Sequence, residues 1–186
     1  MKINNQPLRS LVLGGMKSGK SAFAAQLAEQ HVGAAKTHVV FVATATALDD
    51  EMSERIERHK VDRDPNWTVI EEPLSLAATI ENIARKAKES DDDICIVIDC
   101  LTLWVTNLLV NDNEPQLKRE VADFTRAVVS CPVRLIMVSN ETNMGITPMG
   151  ELSRKFCDET GLLHQQLARH CEQVVLMVAG LAVTVK

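Results

Sequence analysis

Between an apolar run, Leu8–Leu13, and a stretch of helical period, Lys20–Gln30, the chain carries Gly14-Gly15-Met16-Lys17-Ser18-Gly19-Lys20-Ser21. This segment satisfies G-x-x-x-x-G-K-[ST] at every fixed position. The pattern constrains the fold strongly because its glycines serve a purpose only where a strand ends and a helix begins. There, backbone N–H groups converge on phosphate oxygens and the helix adds the positive end of its dipole. Lys20 then neutralises the β- and γ-phosphates of a triphosphate, and Ser21 ligates Mg2+. The bland alternative, a Gly-rich turn with a chance lysine, does not explain why the loop sits between those two elements.

The rest of the chain fits the same architecture. Strand-length apolar runs recur at His38–Ala43, Ile94–Asp99, Val133–Val138 and Val174–Val178, with a further short one at Trp67–Ile70. Between them lie helical patterns at Asp49–Lys60, Leu74–Lys88, Leu117–Val129 and Glu151–His170, and Leu181–Val185 reads as the return arm of a terminal hairpin. Alternation of this kind predicts an α/β, P-loop NTPase-like fold: a mostly parallel sheet with flanking helices and a C-terminal antiparallel hairpin. With 186 residues and no linker or repeat, residues 1–186 are expected to form a single nucleotide-binding domain.

Composition narrows the partners. Acidic residues outnumber basic ones 25 to 20, and only six side chains are aromatic, two Trp and four Phe. A nucleic-acid binder needs a basic face and stacking platforms, so none is expected. The five cysteines are odd in number and form no C-x-x-C pair, which argues against a disulfide framework or a zinc knuckle and for a reducing compartment. No run approaches the length of a membrane span. The expectation is a soluble cytoplasmic protein.

Two further residues stand out. Asp99 closes the run Ile94-Cys95-Ile96-Val97-Ile98, the place from which a phosphate-loop protein usually supplies a second Mg2+ anchor; it can equally cap the helix beginning near Leu101. His59 shares the inward stripe of the Asp49–Lys60 helix with Met52 and Ile56. A lone histidine so placed is more often structural. With Lys60 and Arg63 beside it, a neutral imidazole is also able to attack an α-phosphorus and expel pyrophosphate.

The phosphate loop, Ala43-Thr44-Ala45, Leu48-Asp49-Asp50-Glu51-Met52 through to His59-Lys60, and Trp67 with Glu71-Glu72-Pro73 resemble one family. So do Asp99-Cys100-Leu101-Thr102-Leu103-Trp104-Val105-Thr106-Asn107-Leu108-Leu109, Ser139-Asn140-Glu141 and Val178-Ala179-Gly180. The family is adenosylcobinamide kinase/adenosylcobinamide-phosphate guanylyltransferase, and the match runs in order along nearly the whole chain. The resemblance implies phosphorylation of adenosylcobinamide by a nucleoside triphosphate (ATP or GTP). Transfer of GMP from GTP to adenosylcobinamide phosphate follows, through a guanylylated histidine at the position of His59. It also implies nucleotide contacts at Gly14, Gly15, Met16, Lys17, Ser18, Gly19, Lys20, Ser21, Ala43, Thr44, Ala45, Lys60, Val61, Asp62, Arg63, Glu71 and Asp99. Lys20, Asp99 and His59 are the expected catalytic residues, Ser21 and Asp99 the Mg2+ ligands, and a homotrimer the expected assembly. On this reading Glu71 accepts hydrogen bonds from a guanine edge; otherwise it is a surface carboxylate.

The sequence departs from the family's pattern at Thr142-Asn143, Cys157-Asp158 and His164-Gln165. His164, His170 and Cys171 lack metal-ligand spacing and read as ordinary helix residues. The competing enzyme reading is a monofunctional P-loop small-molecule kinase with a structural His59. A guanine-nucleotide switch would need N-K-x-D, which Asn140-Glu141-Thr142-Asn143 does not provide, and a nucleic-acid motor would need positive charge.

Overall fold

The computed structural model describes residues 8–32, 37–46, 64–90 and 92–186. The helix expected over Asp49–Lys60, with His59, and the positions Lys60, Val61, Asp62 and Arg63 lie outside the described residues. Seven strands form one sheet: β1 (Arg9–Gly14), β2 (Thr37–Ala43), β3 (Thr68–Glu71), β4 (Asp93–Asp99), β5 (Arg134–Asn140), β6 (Gln173–Val178) and β7 (Leu181–Thr184). Their spatial order is β3-β2-β4-β5-β1-β6-β7. All neighbours are parallel except β6 and β7, which form the expected antiparallel hairpin.

The central strands read as unbroken apolar runs because both faces are covered. Leu11, Val42, Ile96, Ile98 and Met137 point into a core shared with α2 (Leu76–Ser90), α3 (Leu101–Val110), α4 (Glu114–Ser130) and α5 (Glu151–His170). Their strand neighbours Val12, Phe41, Val97 and Val138 point the other way, against Ala24 and Ala28 of α1 (Lys20–Val32). The alternation is the ordinary period of two along a strand.

Helix boundaries follow local chemistry. α4 begins at Glu114, three residues before the expected Leu117, because Asn113 caps it by accepting a hydrogen bond from the Gln116 amide at 3.1 Å. Pro115 sits in the first turn, where no intrahelical N–H is needed. The cap of α3 is Cys100, without a side-chain capping bond, so the capping alternative for Asp99 is not what this turn uses. Glu72 accepts from the Leu74 and Ser75 amides at 2.9 and 2.7 Å and so serves the entry to α2. That leaves Glu71 as the exposed carboxylate at the end of β3.

Trp104 is wholly buried: its indole Nε1–H donates to the Leu74 carbonyl at 2.7 Å, and its ring lies 4.9 Å from that of Phe124. It is a core residue that ties α3 to α4, out of reach of any ligand. Trp67 instead stacks on Phe41 at 6.1 Å. Truncating a fully enclosed aromatic ring costs about 3–5 kcal/mol. Trp104→Ala is expected to lose that much stability in urea denaturation, and a loss below about 1 kcal/mol would show that the ring is not a keystone of this core.

Candidate functional site

The parallel register lines up one residue from each strand along the carboxyl edge of the sheet. Gly14 is opposite Asn140 on one side and Met177 on the other, and Ala43 is opposite both Glu71 and Asp99. Asp99 lies two strands from Gly14 and Glu71 four. At the usual strand spacing these are separations of roughly 10 and 19 Å along the edge. Such a row suits an elongated ligand, with the phosphate loop at one end and the Glu71 carboxylate at the other.

The loop owes its shape to backbone that few residues adopt. Gly14 has φ 151°, Gly19 φ 96° and Lys17 φ 55°. A Cβ on Gly14 would stand 2.6 Å from the Met177 carbonyl oxygen. The loop is fixed from three sides: the Ser18 amide donates to the Gly15 carbonyl at 3.2 Å, the Glu141 amide to the Gly14 carbonyl at 2.9 Å, and the Gly180 amide to the Ser18 carbonyl at 3.0 Å. Sequence reasoning missed the last of these. The tight turn of the β6–β7 hairpin, with Ala179 at φ 52° and Gly180 at φ 81°, serves as a backstop for the phosphate loop. The available signal was Gly180 between the apolar runs Val174–Val178 and Leu181–Val185, which marks a tight turn but not what the turn rests on.

Lys20 is buried, and its ammonium donates to the Gly15 carbonyl at 2.7 Å. Burial pulls its pKa below the ordinary lysine range, while the charge of Asp99 acts in the opposite direction. The lysine and Asp99 are therefore within electrostatic reach of each other. The Ser18 hydroxyl is buried with no hydrogen-bond partner among the described residues. Ser21 stands in the first turn of α1 and Asp99, half-buried, at the end of β4. Among the described residues no three His, Cys, Asp or Glu side chains cluster, so an all-protein metal cage is not offered. One hydroxyl and one carboxylate fit Mg2+, which keeps several waters and takes its other oxygens from substrate phosphates.

Ala43 and Thr44 are buried beside Asp99, and Ala45 is half-buried. The Cys100 thiol, next to Asp99, is pushed up to about 11, chiefly by burial, with Asp99 adding to the effect, so it is protonated at neutral pH. All five cysteines are free. No described helix is long and apolar enough to cross a membrane.

The departures from the family's pattern meet behind the loop that follows β5. The Asn143 side-chain amide donates to the Cys157 carbonyl at 3.0 Å, and a Cβ on Gly161 would stand 2.5 Å from that nitrogen. His164 Nε2 lies 2.8 Å from the Ser139 hydroxyl. Both partners are buried, so this Ser–His pair has no access to a substrate and is a structural tie between β5 and α5.

A family of cobinamide kinase / cobinamide phosphate guanyltransferases matches residues 10–185. A bifunctional adenosylcobalamin biosynthesis protein, CobP, of Pseudomonas aeruginosa is 45% identical over 179 residues, covering 96% of this chain and 98% of the relative. Bifunctional adenosylcobalamin biosynthesis proteins CobU of Salmonella typhimurium and Escherichia coli are 35% and 33% identical, each covering 95% of this chain and 98% of the relative. Among solved structures, a KaiC-like protein of Pyrococcus horikoshii superposes with a TM-score of 0.51 at 17% identity, covering 91% of this chain and 70% of the other. A prototypical ATPase from the type III secretion system of pathogenic bacteria superposes with a TM-score of 0.59 at 10% identity, covering 95% and 56%. These two likenesses show the fold alone.

Burial lowers the pKa of His164 below its ordinary value of 6.5, opposed by the charge of Glu141. The unfolded chain therefore binds a proton that the folded chain refuses between its depressed pKa and 6.5. Stability rises with pH across that window and is level for this group above it. Melting temperatures measured from about pH 7.5 down to about pH 5 are expected to fall, and to fall less steeply in His164→Gln. An equal slope in the two proteins would remove His164 from this account.

Proposed function

Because the chain belongs to the cobinamide kinase / cobinamide phosphate guanyltransferase family, we propose that it catalyses two successive reactions on one corrinoid substrate. It first phosphorylates adenosylcobinamide with a nucleoside triphosphate, ATP or GTP. It then transfers GMP from GTP to the resulting phosphate through a guanylyl-histidine intermediate, giving adenosylcobinamide-GDP and pyrophosphate. The observation that carries the reading is the complete phosphate loop with a buried Lys20 and Asp99 within its electrostatic reach.

In the first reaction the substrate hydroxyl oxygen bonds to the γ-phosphorus, the bond between that phosphorus and the β–γ bridging oxygen breaks, and the hydroxyl proton is released. Lys20 and the backbone N–H groups of residues 14–21 bear on the charge that grows on the departing diphosphate. Ser21 and Asp99 are the residues to hold Mg2+, which when bound screens the phosphate charge. In the second reaction an imidazole nitrogen of His59 bonds to the α-phosphorus and pyrophosphate leaves. A phosphate oxygen of the acceptor then displaces the imidazole, breaking the P–N bond. Glu71 is the candidate acceptor for a guanine edge, and Lys60, Val61, Asp62, Arg63 and the Ala43-Thr44-Ala45 segment are the remaining candidate nucleotide contacts. Assembly as a homotrimer and a cytoplasmic location belong to the same proposal and rest on the resemblance.

GTP labelled at the α-phosphate is expected to leave acid-labile, base-stable label on the protein, and His59→Asn is expected to abolish it while sparing phosphorylation of the corrinoid. Lys20→Ala should lower both activities by a factor of about 100 or more, since it removes the charge that meets the triphosphate. Wild-type protein that phosphorylates adenosylcobinamide yet never takes up label would reduce the enzyme to a plain kinase.

A further inference from the structure

Buried Thr44 and half-buried Asn107 form a clamp on the end of β4. Thr44 is fully enclosed: its hydroxyl donates to the Cys100 carbonyl at 2.7 Å and accepts from the Cys100 amide at 2.9 Å. Its own amide donates to the Asp99 carbonyl at 3.3 Å. Three hydrogen bonds thus grip the two residues at which β4 gives way to α3, just past the last ladder pair of Ala43 with Asp99. Asn107, on α3, continues the clamp by donating its side-chain amide to the Thr44 carbonyl at 2.8 Å and to the Pro73 carbonyl at 3.1 Å. The loops after β2, β3 and β4 are thereby tied at one point.

The chemistry argues against a phosphate contact for the Thr44 side chain. A hydroxyl has one proton to donate, and this one is spent on Cys100. What the contacts do control is the backbone from which the Asp99 carboxylate projects. A Mg2+ ligand must be held close to octahedral geometry, and groups that orient a ligand without touching the metal usually matter by a factor of about 10–100 in affinity. Resting on the reading of Asp99 as a ligand of nucleotide-bound Mg2+, we propose that Thr44 and Asn107 are positioning residues for Asp99.

The test is equilibrium binding of GTP, measured once with Mg2+ and once in EDTA, so that the gain due to the metal is read without turnover. Thr44→Val keeps the shape and removes both hydroxyl bonds; Asn107→Leu removes both amide bonds; Thr44→Ser keeps the hydroxyl. The gain is expected to fall roughly 10-fold in Thr44→Val and Asn107→Leu and to return in Thr44→Ser, with affinity in EDTA unchanged in Asn107→Leu, which lies outside the candidate nucleotide contacts. A gain that persists in both Thr44→Val and Asn107→Leu overturns the proposal. So does an equal loss of affinity with and without Mg2+, which is the mark of general damage. Asp99→Asn separates the two layers: if it abolishes the gain while the clamp variants keep it, only the positioning role falls. If Asp99→Asn itself keeps the gain, the metal-ligand reading falls and takes the clamp with it.

Discussion

Parallel pairing of β1 with β5 on one side and β6 on the other is the constraint on which the rest of this molecule depends. In a parallel sheet every strand ends at the same edge, so each crossover delivers a strand terminus to the same rim. Gly14, Ala43, Glu71, Asp99 and Asn140 share that rim for this reason, although they are scattered along the chain. The insertion of β5 between β1 and β4 sets the distance from the phosphate loop to Asp99, because two strand spacings must be crossed. Gly14 and Asp99 are therefore kept two strands apart along the rim, and Lys20, whose ammonium rests on the Gly15 carbonyl, is the cation that feels the charge of Asp99.

The state of Lys20 follows. A buried ammonium is costly unless its protons find acceptors and its charge finds a partner. Here it donates to the Gly15 carbonyl and feels the field of Asp99, while desolvation still weakens its hold on the proton. On the proposed reading a triphosphate adds negative charge to that of Asp99, and the same burial that disfavours the free ammonium strengthens its attraction to phosphate in a low-dielectric setting. Binding energy is thus prepared in advance by the fold.

What could be read from the sequence was whatever is encoded locally. The buried strands announce themselves because two covered faces demand apolar side chains at consecutive positions, and the phosphate loop because its glycines answer to backbone angles. The start of α4 was hidden by Asn113 and Pro115, whose loop-like appearance is also the chemistry of a helix entry. Trp104 is interior because α4 places Phe124 over it, a fact of tertiary contact that its local sequence does not mark. The Thr44–Cys100, Asn107–Pro73 and Ser139–His164 bonds join residues far apart in sequence, and no local pattern marks them. His59 and the cations after it are the opposite case, since their proposed chemistry rests on sequence alone.

The contact between Gly180 and Ser18 carries a consequence for the order in which the chain is made. The phosphate loop leaves the ribosome long before the hairpin turn that holds it and the β6 flank of β1. Until residues 173–180 have emerged, β1 lacks one of its two neighbours and the loop lacks its backstop. Throughout that interval the phosphate loop is held from fewer sides than in the finished domain.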